Sequence, residues 1–219
     1  MFIQNGLRQD ADAQVPAVTD PDLAKVLKHT AMGPVDFYPI NATIYGQGDS
    51  VGPLYLVEFG TVRLCRITSD GRRQITAFYF AGDVFGFDPG REHQCYAESV
   101  DGAGIRTLRV RSGDLSAADG LLQLALRSIA KVQSHLLLLG RASASERLAR
   151  FLLNLMEQQD SDETVALQMQ RIDIGDYLGL TFETVSRALR VLKDRGLVRL
   201  PSADRVVVLD RERLAGICI

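Results

Sequence analysis

The sequence has few of the residues that build disulfide frameworks and metal sites. Its 219 residues include three cysteines and three histidines. The cysteines are Cys65, Cys95 and Cys218, and the histidines are His29, His93 and His135. The cysteines are widely spaced and odd in number, which excludes a disulfide framework and indicates a reducing cytoplasm. The histidines fall in three different predicted elements, which argues against a metal-dependent enzyme of the jelly-roll class.

Neither charge of one sign nor a long apolar run dominates the chain. The 25 Lys and Arg residues are balanced by 27 Asp and Glu residues, for a net charge of −2. Any surface that binds nucleic acid must therefore be a local basic patch. The first residues lack the basic segment and apolar core of a signal peptide, and no apolar run approaches membrane-spanning length. We expect a cytoplasmic protein with no membrane partner.

The residue pattern in the first half of the chain is typical of a small β-domain. Residues 1–20 are polar and without periodicity, which predicts a flexible arm. A short helix is predicted from Pro21 over DLAKVLKHTAM, because its apolar residues recur at helical spacing. Short apolar runs separated by Gly, Pro and Asp then extend from Val35 to Val110, with the clearest hairpin turn at residues 69–71. Residues 21–117 are therefore predicted to form a β-roll or jelly roll.

One long helix is predicted over residues 118–142. Six of its apolar residues recur in steps of three and four, the heptad seam that two parallel helices bury against each other. They are Leu122, Ala125, Ile129, Val132, Leu136 and Leu139. A core helix of a single domain carries a similar stripe, but the breadth of this one favours two contacts, one with the β-domain and one with a second subunit. We therefore predict a homodimer.

The last segment, residues 143–219, contains two short helices joined by a tight turn. Ser145 is the candidate N-cap of the helix that opens the segment. Further on, Gly179 ends one helix and Thr181 caps the next, which is the arrangement of a helix-turn-helix. The predicted inward positions are Ile174, Tyr177 and Leu178 in the first of these helices and Val185, Leu189 and Leu192 in the second. Two strands bracketing residues 201–204 predict a wing that approaches DNA phosphates.

With a β-domain, a seam helix and a winged helix-turn-helix in this order, the chain resembles the family of the cyclic AMP receptor protein and the fumarate-nitrate reductase regulator. The most specific segment is DYLGLTFETVSRALRVLKDRGLV, in which Glu183, Ser186 and Arg187 fall on the Glu-x-x-Ser-Arg pattern of the family. The resemblance implies an α+β fold: an N-terminal cyclic-nucleotide-binding-like β-roll, a long dimerisation helix and a C-terminal winged helix-turn-helix. Phe182 and Ser186 distinguish this chain from the cyclic AMP receptor branch, which has Arg and Gly there.

The resemblance also implies which side chains contact DNA. Glu183 accepts from cytosine or adenine amino groups, Arg187 donates to guanine or braces Glu183, and Ser186 touches thymine or a neighbouring base edge. The positions at which the family contacts phosphates are Arg171, Thr181, Thr184 and Arg190. The target is an inverted repeat resembling TTGA and TCAA half-sites. For any single residue among these, ordinary solvent exposure is the alternative interpretation.

The β-domain lacks the sensor residues of the family. Phe87 stands where nucleotide-binding members have a Glu, Tyr96 and Ala97 stand near the place of the phosphate-binding Arg and its hydroxyl neighbour, and Arg91 is the only cation nearby. A cyclic phosphate would therefore lose its main charge-assisted contacts. The N-terminal cysteines of iron–sulfur members are missing, and His93 as the only histidine among the predicted strands from Val35 to Val110 disfavours haem. No cofactor is predicted.

This combination resembles the FixK-type subgroup, whose members activate genes for low-oxygen respiration, nitrogen fixation or denitrification. We expect a transcription activator without enzymatic activity that binds double-stranded DNA at a palindromic promoter site and contacts RNA polymerase. The alternative is an effector-gated regulator of the same family, with a cyclic nucleotide or other small molecule in the β-domain. A redox role of Cys65 or Cys95 stays open.

Overall fold

The computed structural model describes residues 20–110, 115–141 and 143–217, so the predicted arm lies outside it up to residue 19. Helix α1 (Pro21–Lys28) begins at an N-cap, Asp20, whose carboxylate accepts hydrogen bonds from two backbone N–H groups of the first turn. His29 caps the end of the helix, as predicted, but the predicted continuation through Thr30, Ala31 and Met32 is wrong. Strand β1 (Thr30–Tyr38) begins there instead, because its first residues pair with the end of a distant strand, as Thr30 does with Val110.

Strands form two four-stranded sheets in residues 20–110, with antiparallel pairing in each. After β1 the strands are β2 (Thr43–Tyr45), β3 (Leu54–Phe59), β4 (Val62–Ile67), β5 (Arg73–Tyr79), β6 (Val84–Phe85), β7 (Tyr96–Ser99) and β8 (Ala103–Val110). One sheet has the order β1-β8-β3-β6 and the other β2-β7-β4-β5. Strands β4 and β5 pair from Val62 with Tyr79 to Ile67 with Arg73, which confirms the hairpin predicted at residues 69–71. The two sheets enclose the core of the predicted β-roll.

Helix α2 (Leu115–Arg141) links the β-roll to the C-terminal domain. It begins at Leu115 rather than at residue 118, and it packs against α1. Leu124 contacts the apolar cluster formed by α1 and the roll, and Leu138 contacts the core of the C-terminal domain. One side of the helix therefore joins both domains.

The C-terminal domain is a winged helix-turn-helix. Its elements are α3 (Ala144–Gln158), β9 (Thr164–Ala166), α4 (Arg171–Leu178), α5 (Phe182–Asp194), β10 (Val198–Ser202), β11 (Arg205–Val208) and α6 (Arg211–Gly216). The three strands form one sheet in the order β10-β11-β9. Strand β10 runs through Pro201 and Ser202, so the turn of the wing is shorter than the predicted residues 201–204.

The N-cap predicted at Ser145 is wrong, because Ser143 caps α3. The Ser143 hydroxyl accepts from the backbone N–H of Glu146 at 3.3 Å, and the Glu146 carboxylate accepts from the backbone N–H of Ser143 at 3.1 Å. This reciprocal capping box needs a Glu three residues after the cap, a spacing that Ser143 has and Ser145 lacks.

Candidate nucleic-acid interface

The turn between α4 and α5 has the geometry predicted from the sequence. Gly179 ends α4 in the left-handed conformation, with φ of 64°, and Thr181 caps α5 by accepting from the backbone N–H of Thr184 at 3.2 Å. Gly175 allows the close approach of the turn, because a Cβ there would lie 2.7 Å from the backbone oxygen of Leu180. The two helices are therefore held in a tight helix-turn-helix.

Helix α5 buries one face and exposes the other. Val185, Leu189 and Leu192 are at most 1% exposed in the domain core, as predicted. Glu183 and Arg187 are exposed on the other face. A helix of this kind can enter a major groove while its apolar side stays in its own domain.

The predicted DNA-contacting residues form a polar network across α4 and α5. Arg187 Nη2 donates to Thr184 Oγ1 and Arg171 Nη1 donates to Ser186 Oγ, both at 3.5 Å. The backbone N–H of Glu183 at the start of α5 lowers the pKa of its carboxyl group, aided by the Thr181 hydroxyl and by Arg187. Glu183 is therefore charged at neutral pH.

The remaining cations of this surface lie on α5 and on the wing. Arg190 is exposed one turn after Arg187 and pairs with Asp194 at 3.8 Å. Arg199 of β10 and Arg205 of β11 are also exposed. The sequence prediction placed a wing here but did not name these two arginines, although their position beside the wing turn was a usable signal.

At the positions where nucleotide-binding members of the family contact their ligand, the side chains of this chain either pack inside the protein or face solvent. Phe87 packs against the cluster of α1 and the roll, and Ala97 is fully buried. Arg91 is exposed, and its backbone oxygen accepts from the N–H of Val51 at 2.8 Å. The side chains at these positions therefore do not form a fixed binding site for a phosphate.

Aromatic rings fill the interior of the β-roll. The ring centroids of Tyr45 and His93 are 3.7 Å apart, those of Tyr55 and Phe85 are 5.2 Å apart, and Tyr79 lies 5.4 Å from Phe85. His93 was predicted in a loop; its side chain is 1% exposed. Its Nδ1 lies 2.7 Å from a carboxylate oxygen of Asp88, so this histidine is part of the core.

Comparison with known proteins identifies the family. A model of the Crp-like helix-turn-helix domain matches residues 146–217, and a model of the cyclic nucleotide-binding domain matches residues 35–101. The nitrogen fixation regulation protein FixK of Rhizobium meliloti strain 1021 is 41% identical over 186 residues, which cover 83% of this chain and 85% of that protein. The chain belongs to the CRP/FNR family of transcription regulators.

Other FixK proteins are similarly close to this CRP/FNR regulator. The FixK protein of Azorhizobium caulinodans is 39% identical over 197 residues, covering 84% of this chain and 79% of that protein. The solved structure of FixK2 from Bradyrhizobium japonicum superposes with a TM-score of 0.79 at 38% identity, covering 87% of this chain and 98% of that one. The predicted α+β fold is confirmed. The chain is a DNA-binding transcription regulator of the FixK type and not an enzyme.

In the described part of this regulator, the helices are too short or too polar to cross a membrane. In residues 20–110, 115–141 and 143–217, no group of three or more His, Cys, Asp and Glu side chains is arranged to hold a metal ion.

The thiols of this CRP/FNR regulator are poor nucleophiles in the described structure. Burial raises the pKa of Cys65 to about 12, with Glu98 adding to the effect, and burial also raises the pKa of Cys95. Since the thiolate is the reactive form, very little of the Cys65 thiol is ionised at pH 8. This disfavours a redox role for Cys65. Cys218 lies outside the described residues.

We expect iodoacetamide at pH 8 to alkylate Cys65 about a thousandfold more slowly in the folded protein than in guanidinium chloride, because folding suppresses the thiolate. Mass spectrometry of a Cys218→Ser variant measures the rates of Cys65 and Cys95 separately. Equal rates for Cys65 in the folded and unfolded protein would contradict the expectation.

The sequence prediction missed the residues that dock the two domains of this regulator. Tyr177 was assigned to the inward face of α4, and it does pack against the C-terminal core. Its ring also stacks on His135 of α2, with centroids 3.9 Å apart, and contacts Phe78 of β5, which was not predicted. His135 Nε2 lies 2.8 Å from the backbone oxygen of Tyr177 and must donate to it. Burial lowers the pKa of His135, so the imidazole is neutral at pH 7.

Proposed function

We propose that this regulator binds DNA as a homodimer at an inverted repeat resembling TTGA and TCAA half-sites. The observation that carries the proposal is helix α5, which presents Glu183 and Arg187 outward above a buried apolar stripe. Ser186, half-buried beside Arg171, completes the set that reads bases. Carboxylate, hydroxyl and guanidinium groups on one helix face match the donors and acceptors of base edges in the major groove.

Contacts with phosphates set the position of this helix. The residues proposed for them are Arg171, Thr181, Thr184 and Arg190, to which we add Arg199 and Arg205 of the wing. The first turn of α5 also offers backbone N–H groups to an anion. Such contacts add affinity for any sequence and make it decrease with salt.

The apolar seam of α2 supports the homodimer. Leu122, Ile129, Val132 and Leu136 are between 46% and 62% exposed, and Ala125 and Leu139 are half-buried. From Leu122 to Leu139 the seam extends for about 25 Å at the rise of an α-helix. A continuous apolar stripe of this length is costly in water, and a second copy of α2 would bury it.

We propose further that DNA binding needs no bound effector. The rings packed inside the β-roll, the buried Ala97 and the exposed Arg91 support this. Several relatives are named as nitrogen fixation regulation proteins. By analogy, this regulator activates genes of nitrogen fixation, denitrification or low-oxygen respiration in the cytoplasm, where it would contact RNA polymerase at the promoter.

One feature favours the second candidate, an effector-gated regulator. A cleft of about 1030 Å³ lies between β5, α2 and α3, with Phe78, Phe151 and Tyr177 among its apolar lining and Lys131 and Arg150 at its polar side. Because Glu146 and Glu157 also line the cleft, a small molecule with an apolar portion and polar groups of either charge would suit this lining. Its binding there would act on the contact between the two domains.

A binding assay separates the two candidates. Purified protein without added effector is titrated with an inverted TTGA and TCAA repeat, whose half-site centres are about one helical turn apart, and with a scrambled duplex at moderate salt. We expect clear preference for the repeat. Equal binding to both duplexes contradicts the proposal, and a preference that arises only with cyclic AMP or cyclic di-GMP supports the effector-gated candidate.

A further inference from the structure

A group of five charged side chains joins the β-roll to the first helix of the helix-turn-helix. We name it the bridging cluster, and its members are Arg63, Arg73, Glu98, Asp173 and Asp176. Arg63 Nη1 lies 3.1 Å from Asp173 Oδ2, and Arg73 Nη2 lies 2.6 Å from Asp173 Oδ1. Arg73 Nε donates to Asp176 Oδ2 at 2.8 Å, and Arg63 also pairs with Glu98 at 2.9 Å. Two arginines of the hairpin β4–β5 thus hold two aspartates of α4.

The burial of this cluster depends on the contact between domains. Arg63 follows Val62 along β4. Because Val62 belongs to the core of the roll, Arg63 points to the outer face of the sheet. An arginine there would be exposed on an isolated roll, yet Arg63 is 7% exposed and its partner Asp173 is 3% exposed. Leaving either charge buried without its partner is strongly unfavourable. The docked position of α4 on the roll is therefore sharply defined.

Helix α4 contacts the roll and α2 with one face and the core of the C-terminal domain with another. Asp173, Asp176 and Tyr177 follow one another at helical spacing and face the roll and α2. Ile174 and Leu178 are fully buried in the core of the C-terminal domain. The bridging cluster leaves the outward face of α5 uncovered, because Glu183 and Arg187 stay exposed in the docked arrangement.

We propose that Arg63 and Arg73 are positioning residues for DNA recognition. They touch no DNA; they fix α4, and through the tight turn α5, relative to the roll and to α2. In the homodimer of the proposed function, on which this inference rests, α2 carries the seam. Fixing α5 relative to α2 therefore sets the separation and orientation of the two reading helices.

Loss of the bridging cluster should affect binding to a full repeat differently from binding to a single half-site. A helix-turn-helix that is held in place meets both half-sites without a further loss of freedom, whereas a loosely attached one must be ordered on binding. This cost falls on the engagement of two half-sites at once and not on the contact with one half-site. Loss of the bridging cluster should therefore lower the preference for the full repeat over a single half-site.

The test uses the full chain with Arg73→Gln and the matched control Arg72→Gln. Arg73 is partly exposed, so its replacement is tolerated better than that of Arg63, and Arg72 is its exposed neighbour, paired with Asp70 at 2.8 Å within the hairpin. Each protein is titrated with the inverted repeat, with a repeat lengthened by half a helical turn, and with a single half-site. Circular dichroism reports whether each variant is folded.

We expect Arg73→Gln to lower affinity for the correctly spaced repeat about tenfold and to leave affinity for the single half-site within about twofold. The preference over the lengthened repeat should decrease in parallel, and Arg72→Gln should behave as the wild type. The conservative variant Arg73→Lys, which keeps a positive charge beside Asp173 and Asp176, should recover most of the lost preference.

Two outcomes overturn the inference alone: an unchanged ratio of full-site to half-site affinity in Arg73→Gln, or an equal loss on both duplexes that is also seen in Arg73→Lys. If the wild-type protein itself does not prefer the repeat over a scrambled duplex, the proposed function is overturned and this inference with it.

Discussion

Replacing Arg187 with alanine is expected to abolish most of the preference for the inverted repeat over a scrambled duplex. A good bidentate contact with a base contributes about 1–3 kcal/mol of discrimination, and a homodimer makes it twice. The expected loss is therefore about 2–6 kcal/mol, or about 30-fold to about 20,000-fold in affinity for the repeat. Fluorescence anisotropy with both duplexes at one fixed salt concentration measures the ratio.

Arg190→Ala is the matched control for this prediction. Arg190 lies one turn further along α5, is 84% exposed in its side chain, and is proposed to contact a phosphate. Its loss should weaken binding to both duplexes by a similar factor and reduce the slope of log affinity against log salt by about one for each lost contact. An unchanged specificity ratio in Arg187→Ala, or a larger change in Arg190→Ala, contradicts the assignment of roles.

The second large effect is expected from a charge placed on the seam of α2. Ile129 is 53% exposed and stands near the middle of the seam, so Ile129→Glu would put two carboxylates against each other in the homodimer. We expect the variant to sediment as a monomer at micromolar concentration. Its affinity for the inverted repeat should decrease by about 100-fold or more, because the two half-sites are then bound independently.

Gln123→Glu controls for the added charge, since Gln123 is exposed on the same helix and lies off the seam. It should remain dimeric and bind the repeat as the wild type does. The expectation about Ile129 is contradicted if Ile129→Glu keeps the sedimentation coefficient and the DNA affinity of the wild type. Circular dichroism should show equal helix content in all three proteins, because the substituted side chains do not contribute to the core of the chain.

Most features of α5 and of the turn before it could be predicted from short sequence patterns. The left-handed Gly179, the cap at Thr181 and the spacing of Val185 with Leu189 each depend on a few neighbouring residues, and the structure has all of them. The errors at element ends have equally specific causes. Thr30, Ala31 and Met32 were predicted as helix but pair with β8, since a ladder with a distant strand outweighs local propensity. The cap of α3 was misplaced by two residues because two serines compete and the spacing to Glu146 decides.

By itself the sequence determined the order of the domains, the exposed polar face of α5 and the apolar stripe of α2, because periodicity, caps and turns depend on neighbouring residues. Only the tertiary structure determined how α4 is held against the β-roll. Arg63 and Asp173 are 110 residues apart in the chain, and no pattern in the sequence links them. Their pairing follows from the packing of α4 on the outer face of the roll. Charges that are buried there are unfavourable unless they pair with an opposite charge at hydrogen-bonding distance.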